Sequence, residues 1–142
     1  MGIRDLVLSI KQMRELNKLG LDVVKTALCW KYNHIIKDYE VVPNRKFERS
    51  VKKLCKGRMG KKLIPIPTLT VQEMLEMLPT IIYINKNDYI LGVSLIDNYY
   101  LQYENIERTG DYLCTFQGEN IKEVLFKTLR FLLENKYLEN GK

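Results

Sequence analysis

The side chains best suited to chemistry are few in this 142-residue chain, and they lie far apart in sequence. His34 is the single histidine, so one chain offers neither a histidine metal cluster nor two histidines sharing acid and base roles. Ser9, Ser50 and Ser94 are the only serines, and none sits in a G-x-S-x-G turn that would expose a nucleophile. Cys29, Cys55 and Cys114 form no C-x-x-C pair and read as reduced thiols rather than a disulfide framework or a zinc site. Cys29 and Cys114 fall in apolar runs and are expected to be small core residues. Cys29 and His34 are five residues apart across a strand end, which points them to opposite faces, and His34 is expected exposed in a turn. Of the carboxylates, Glu73 is assigned to a helix cap, Glu76 to solvent, and Asp38, Asp88, Asp97 and Asp111 to turns or strand ends. The residues therefore assign no catalytic group, no metal ligand and no cofactor.

Charge is the more informative signal. Between Pro43 and Lys62 stand Arg45, Lys46, Arg49, Lys52, Lys53, Lys56, Arg58, Lys61 and Lys62 against the single acid Glu48, a net +8 in a chain whose total is +6. The remainder of the chain is slightly acidic. Phe47, Val51, Leu54 and Cys55 recur at i, i+4, i+7 and i+8, so the spacing predicts a basic amphipathic helix over about 45–56. Such a surface suits polyphosphates, because neutralising phosphates releases condensed counterions. Nucleic acid is the leading partner on this reading. An acidic protein or an anionic membrane surface obeys the same electrostatics, and a merely solvated face is the bland alternative. Gly57-Arg58-Met59-Gly60 has the G-x-x-G spacing of a strand clamp but leads into an extended proline-rich stretch, so it reads as a flexible basic turn.

Nine tyrosines are the other unusual feature, six of them between Tyr83 and Tyr112. Adjacent Tyr99 and Tyr100 must face opposite sides of a strand, so one face outside the core is expected to be aromatic. Tyr99, Tyr100 and Tyr103 are the candidate aromatic surface, able to stack on bases or anchor a protein. The alternative packs these rings beneath helices with their hydroxyls at the edge.

Three helix starts carry the side-chain pattern of a capping box: Ser9 with Gln12, Thr70 with Glu73, and Asn120 with Glu123. The first helix spans about 10–19, with Gly20 as its stop. Pro79 ends the second. Ile121, Val124, Leu125, Leu129, Leu132 and Leu133 carry the third through about four turns. Period-two runs rich in β-branched and aromatic residues predict strands at 27–33, 36–42, 80–84, 89–96, 99–104 and 111–116. Short polar connections such as Asn85 to Asp88 and Asp97-Asn98 force antiparallel neighbours. The expected class is α+β: one domain over 1–142, with an N-terminal helix and β-hairpin ahead of an antiparallel meander of three to four strands. From 70 to 138 the order α-β-β-β-α is similar to the topology of the double-stranded RNA-binding domain. Glu119, Asn120 and Glu123 occupy the last helix's first turn where such a domain places basic residues, so the likeness extends to architecture and not to ligand.

The opening residues lack the pattern of a secretory signal, and no apolar run approaches the ~20 residues of a membrane span, so a cytoplasmic protein is expected. Ser9 to Gln12 through Leu19-Gly20-Leu21, the strand Cys29-Trp30-Lys31-Tyr32-Asn33, Pro67-Thr68-Leu69-Thr70, and Gly118-Glu119-Asn120 together resemble a loose family of small uncharacterised proteins encoded by phages and prophages of gut bacteria. The resemblance implies a phage accessory protein working inside a bacterial cell, and it carries no activity or site residue with it. Three readings follow, in order: a non-enzymatic nucleic-acid-binding module, a protein-interaction module acting on a host or phage protein, and a small enzyme whose carboxylates converge only in the fold.

Overall fold

The computed structural model describes residues 2–22, 26–44 and 64–138. The chain is α+β, and its strands form two antiparallel sheets. A 3-10 turn at Ile3–Leu6 precedes α1 (Ile10–Lys18), followed by β1 (Leu28–Asn33), β2 (Asp38–Pro43) and β3 (Ile66–Thr68). Then come α2 (Val71–Met77), the strands β4 (Ile81–Ile84), β5 (Asn87–Leu95), β6 (Tyr99–Asn105) and β7 (Tyr112–Gly118), and finally α3 (Ile121–Glu134). The smaller sheet has the order β2-β1-β3 and the larger is the meander β4-β5-β6-β7. The second half reads α-β-β-β-β-α, the four strands expected at 80–84, 89–96, 99–104 and 111–116 forming the meander. Among the described residues no helix is long and apolar enough to cross a membrane.

Two of the three expected capping boxes close. Ser9 Oγ accepts from the Gln12 N–H at 3.1 Å while Gln12 Oε1 accepts from the Ser9 N–H at 3.0 Å. Thr70 and Glu73 repeat the exchange, and the second Glu73 oxygen takes the Ala27 N–H at 3.1 Å, tying α2 to the approach to β1. At α3 the pattern is different: Asn120 Oδ1 accepts from Lys122 N–H, and Glu123 instead receives the Gln12 side-chain amide at 2.9 Å. A bond between helices has replaced the local reach-back. Gly20, at φ 106°, ends α1, with the Leu21 N–H donating back to the Leu16 carbonyl.

Leu125, Leu129 and Leu132 of α3 are fully buried, packed with Leu101 and Tyr103 of β6, Met74 of α2 and Leu16 of α1. Each such side chain contributes about 1.5–3 kcal/mol through the surface it removes from water. A second, smaller cluster gathers Val7, Trp30 and Val41 on the β2-β1-β3 sheet. Residues 7 and 8 join the two clusters. Val7 faces the small one and Leu8 the large one, while the Leu8 carbonyl accepts from Trp30 Nε1 at 2.8 Å and Thr68 Oγ1 at 2.7 Å.

β3 was not expected, because its three residues follow Pro65, contain Pro67 and show no period. It pairs with β1 at the sheet edge, where a missing N–H costs no ladder bond. β4 and β5 are joined by Asn85-Lys86, both at positive φ (50° and 66°), the geometry of a two-residue type I′ turn. The β6–β7 connection is held by Asn105, 3% exposed, whose amide donates to Asp111 Oδ2 at 3.0 Å and Asn87 Oδ1 at 3.2 Å and whose oxygen takes the Glu107 N–H.

Candidate binding surfaces

Arg45, Lys46, Arg49, Lys52, Lys53, Lys56, Arg58, Lys61 and Lys62, together with the helix expected over about 45–56, lie outside the described residues. What the structure does place is the sheet at either end of that segment. β2 and β3 are both antiparallel to β1, hence parallel to each other on its two sides, so the chain leaves the sheet after Pro43 on one side of β1 and rejoins it at Ile66 on the other. The departure is secured by Asn44, whose N–H donates to the Ala27 carbonyl at 2.9 Å and whose side-chain amide donates to Thr26 Oγ1.

Close to the point of return, α1 presents cations that the sequence alone did not single out. Lys11, Arg14 and Lys18 follow one another at i, i+3 and i+7 and are all exposed, which aligns them along one face of the helix. Among the described residues none of the three is in an ion pair, whereas Glu15 on the same helix is taken by Arg130 at 3.2 Å. Arg14 and Lys18 border a cleft of about 410 Å³ whose other walls include Met13, Leu21, Ile64, Ile66 and Pro67. Its lining is mostly apolar, and α1 adds the two cations and Asn17. The basic residues spaced over seven positions were the available signal, faint beside a run of nine cations.

The candidate aromatic surface is divided by the fold. Tyr103 is fully buried, its hydroxyl donating to the Pro79 carbonyl at 2.7 Å, so it belongs to the core and not to a surface. Burial holds its phenol well above the ordinary range, with the neighbouring Cys114 adding to the rise. Tyr99 packs half-buried against the same core. Tyr100 alone of the three lies on the opposite face, as alternation along β6 requires. Counting by two from Leu101 would have placed Tyr99 and Tyr103 together on the inner face.

The outer face of the meander nonetheless carries an aromatic and aliphatic row. The strand registers put Ile81, Ile90, Glu104 and Tyr112 side by side across β4, β5, β6 and β7, with Tyr83 next to Ile81 along β4. Three strand spacings make the row about 14 Å wide. Ile81 is 52% exposed, Tyr83 69% and Tyr112 46%. The Glu104 carboxylate raises the Tyr112 phenol chiefly by its charge.

The described thiols and the histidine stand apart from one another. Cys29 and Cys114 are buried, and burial pushes the Cys114 thiol up to about 11. His34 is exposed in the β1–β2 turn, edge-on to Tyr32 at 5.0 Å between ring centres. Among the described residues no three His, Cys, Asp or Glu side chains gather where they could hold a metal ion. No known protein family, curated protein or solved structure matches this chain.

Proposed function

We propose that this chain is a non-enzymatic binding protein of the phage accessory type, working in the cytoplasm of a bacterial host and holding nucleic acid through its basic segment. Charge placement carries this reading. Nine cations between 43 and 62 are strung between two strands of one sheet. Of the row Lys11, Arg14 and Lys18, in no ion pair among the described residues, Arg14 and Lys18 border the cleft that Ile64 also lines, close in sequence to where that segment ends. A phosphate backbone held by both would be gripped by charge, so binding is expected to depend on salt more than on sequence.

The test is retention of single-stranded and double-stranded RNA and DNA on filters across a salt series. If about six phosphates are neutralised, log K falls with log salt at a slope of roughly −4 for single strands and −5 for duplexes. Replacing Lys11, Arg14 and Lys18 together by Gln should flatten the slope by about two to three. No retention of any polymer at low salt would end the proposal.

A second reading has its own observation. The row of exposed Ile81, Tyr83 and Tyr112 with half-buried Ile90 has the amphipathic aromatic character of a protein-contact surface, and a protein partner bound there would be captured from nuclease-treated lysate by wild type and lost on Tyr83→Asp.

A further inference from the structure

Every open sheet has edges, and the four described in this molecule are unequally guarded. β2 carries Asp38, Glu40 and Pro43, β3 is three residues long with Pro67 in its middle, and β4 has only four residues. Charge, proline and brevity are the usual means by which a strand avoids pairing with another chain. β7 has none of them. Tyr112–Gly118 is seven residues long, contains no charged residue and no proline, and among the described residues pairs with β6 alone. Its helix-facing side continues into a half-buried aromatic group in which Phe131 lies 5.9 Å from Phe116 and 6.0 Å from Tyr137 between ring centres.

We infer that β7 is a self-association edge, at which a second copy of this chain adds its own β7 antiparallel and joins two meanders into one eight-stranded sheet. A two-fold axis at Thr115 sets Thr115 against its counterpart and Cys114 against Phe116, so no like charges meet along the strand although the chain carries +6. The same axis brings the Phe131 and Tyr137 side of α3 toward its twin, burying aromatic surface that one copy leaves half-exposed. The contact face is about 24 Å long by roughly 20 Å deep across strand and helix layers, so the pair covers on the order of 1,000 Å². That is the lower end of specific interfaces, where association is weak and reversible. Ile81, Ile90 and Tyr83 of the outer row lie on β4 and β5, on the side of the meander away from that edge.

Sedimentation equilibrium on the full chain from about 1 µM to 0.5 mM is expected to show a monomer–dimer equilibrium. Thr115 is exposed, so T115K and T115E leave the fold intact by circular dichroism while each weakens association at least tenfold, and an equimolar mixture of the two regains it. Hydrogen exchange provides a measurement without substitution: amides of 112–118 should slow as concentration rises while those of 81–84 do not. A chain that stays monomeric throughout the range, a T115K chain that dimerises like wild type, or exchange in β7 that ignores concentration would overturn the inference.

Discussion

Replacing Tyr103 by phenylalanine removes one oxygen from the middle of the core and changes almost nothing else. The ring is fully buried, and its hydroxyl donates to the Pro79 carbonyl at 2.7 Å, which joins β6 to the end of α2. At neutral pH the substitution leaves that carbonyl short of a donor and should cost about 1–2 kcal/mol, or roughly 3–6 °C in a domain of this size. The cost must shrink in alkali. The unfolded phenol ionises around its ordinary value of 10.0, whereas burial keeps the folded one protonated well beyond that. Above pH 10 the unfolded state therefore binds fewer protons than the folded state, and wild-type stability falls as pH rises. One unit above 10 the unfolded phenol is about ten-elevenths ionised, which lowers wild-type stability by about 1.4 kcal/mol. The variant ring has no proton to lose, and the Cys114 thiol titrates in both proteins, so it largely drops out of the comparison. Urea unfolding followed by far-ultraviolet circular dichroism should show Y103F less stable at pH 7 and the two proteins equal near pH 11. A gap that stays constant from pH 7 to 11 would refute the assignment of Tyr103 as a buried donor.

Cys114, raised to about 11 from an ordinary 9.0, should react with iodoacetamide at pH 8 at least ~100-fold more slowly than a free thiol when its peptide is followed by mass spectrometry. Lys86→Gly relieves a left-handed lysine in the β4–β5 turn and should raise stability by about 0.5–1 kcal/mol in thermal or urea unfolding, the gain being partly offset by the freer unfolded chain. Glu73→Ala removes acceptors from Thr70 and from the Ala27 N–H and should lower stability by about 1–2 kcal/mol in the same assays, with Glu73→Gln losing less.

The helices were the most legible elements because their ends are written in adjacent residues: Ser9 with Gln12 and Thr70 with Glu73 specify where the chain turns helical before anything packs on it. The meander was legible for a similar reason, since Asn85-Lys86 and Asp97-Asn98 mark reversals between period-two runs. What failed depended on distant neighbours. Glu123 abandons its own helix start for Gln12, 111 residues away in sequence, and the strand Ile66–Thr68 exists only because β1 lies beside it. Division of the strands into two sheets likewise follows from pairing alone. Of the candidate surfaces, the basic segment was plain from composition. The row Ile81, Ile90, Glu104 and Tyr112 draws on four strands, so no single stretch of sequence contains it.

Trp30 is the only tryptophan, and it sits in the lesser cluster, bonded to Leu8 and beneath the Arg4 guanidinium at 5.3 Å. Its emission is thus a private gauge of how the opening residues lie on the small sheet, while ellipticity is dominated by α1 and α3. During denaturation, coincident optical curves would mean that both clusters melt as one unit. If emission shifts first, the N-terminal strap has peeled away from an otherwise intact meander, and the protein possesses a detachable outer seam.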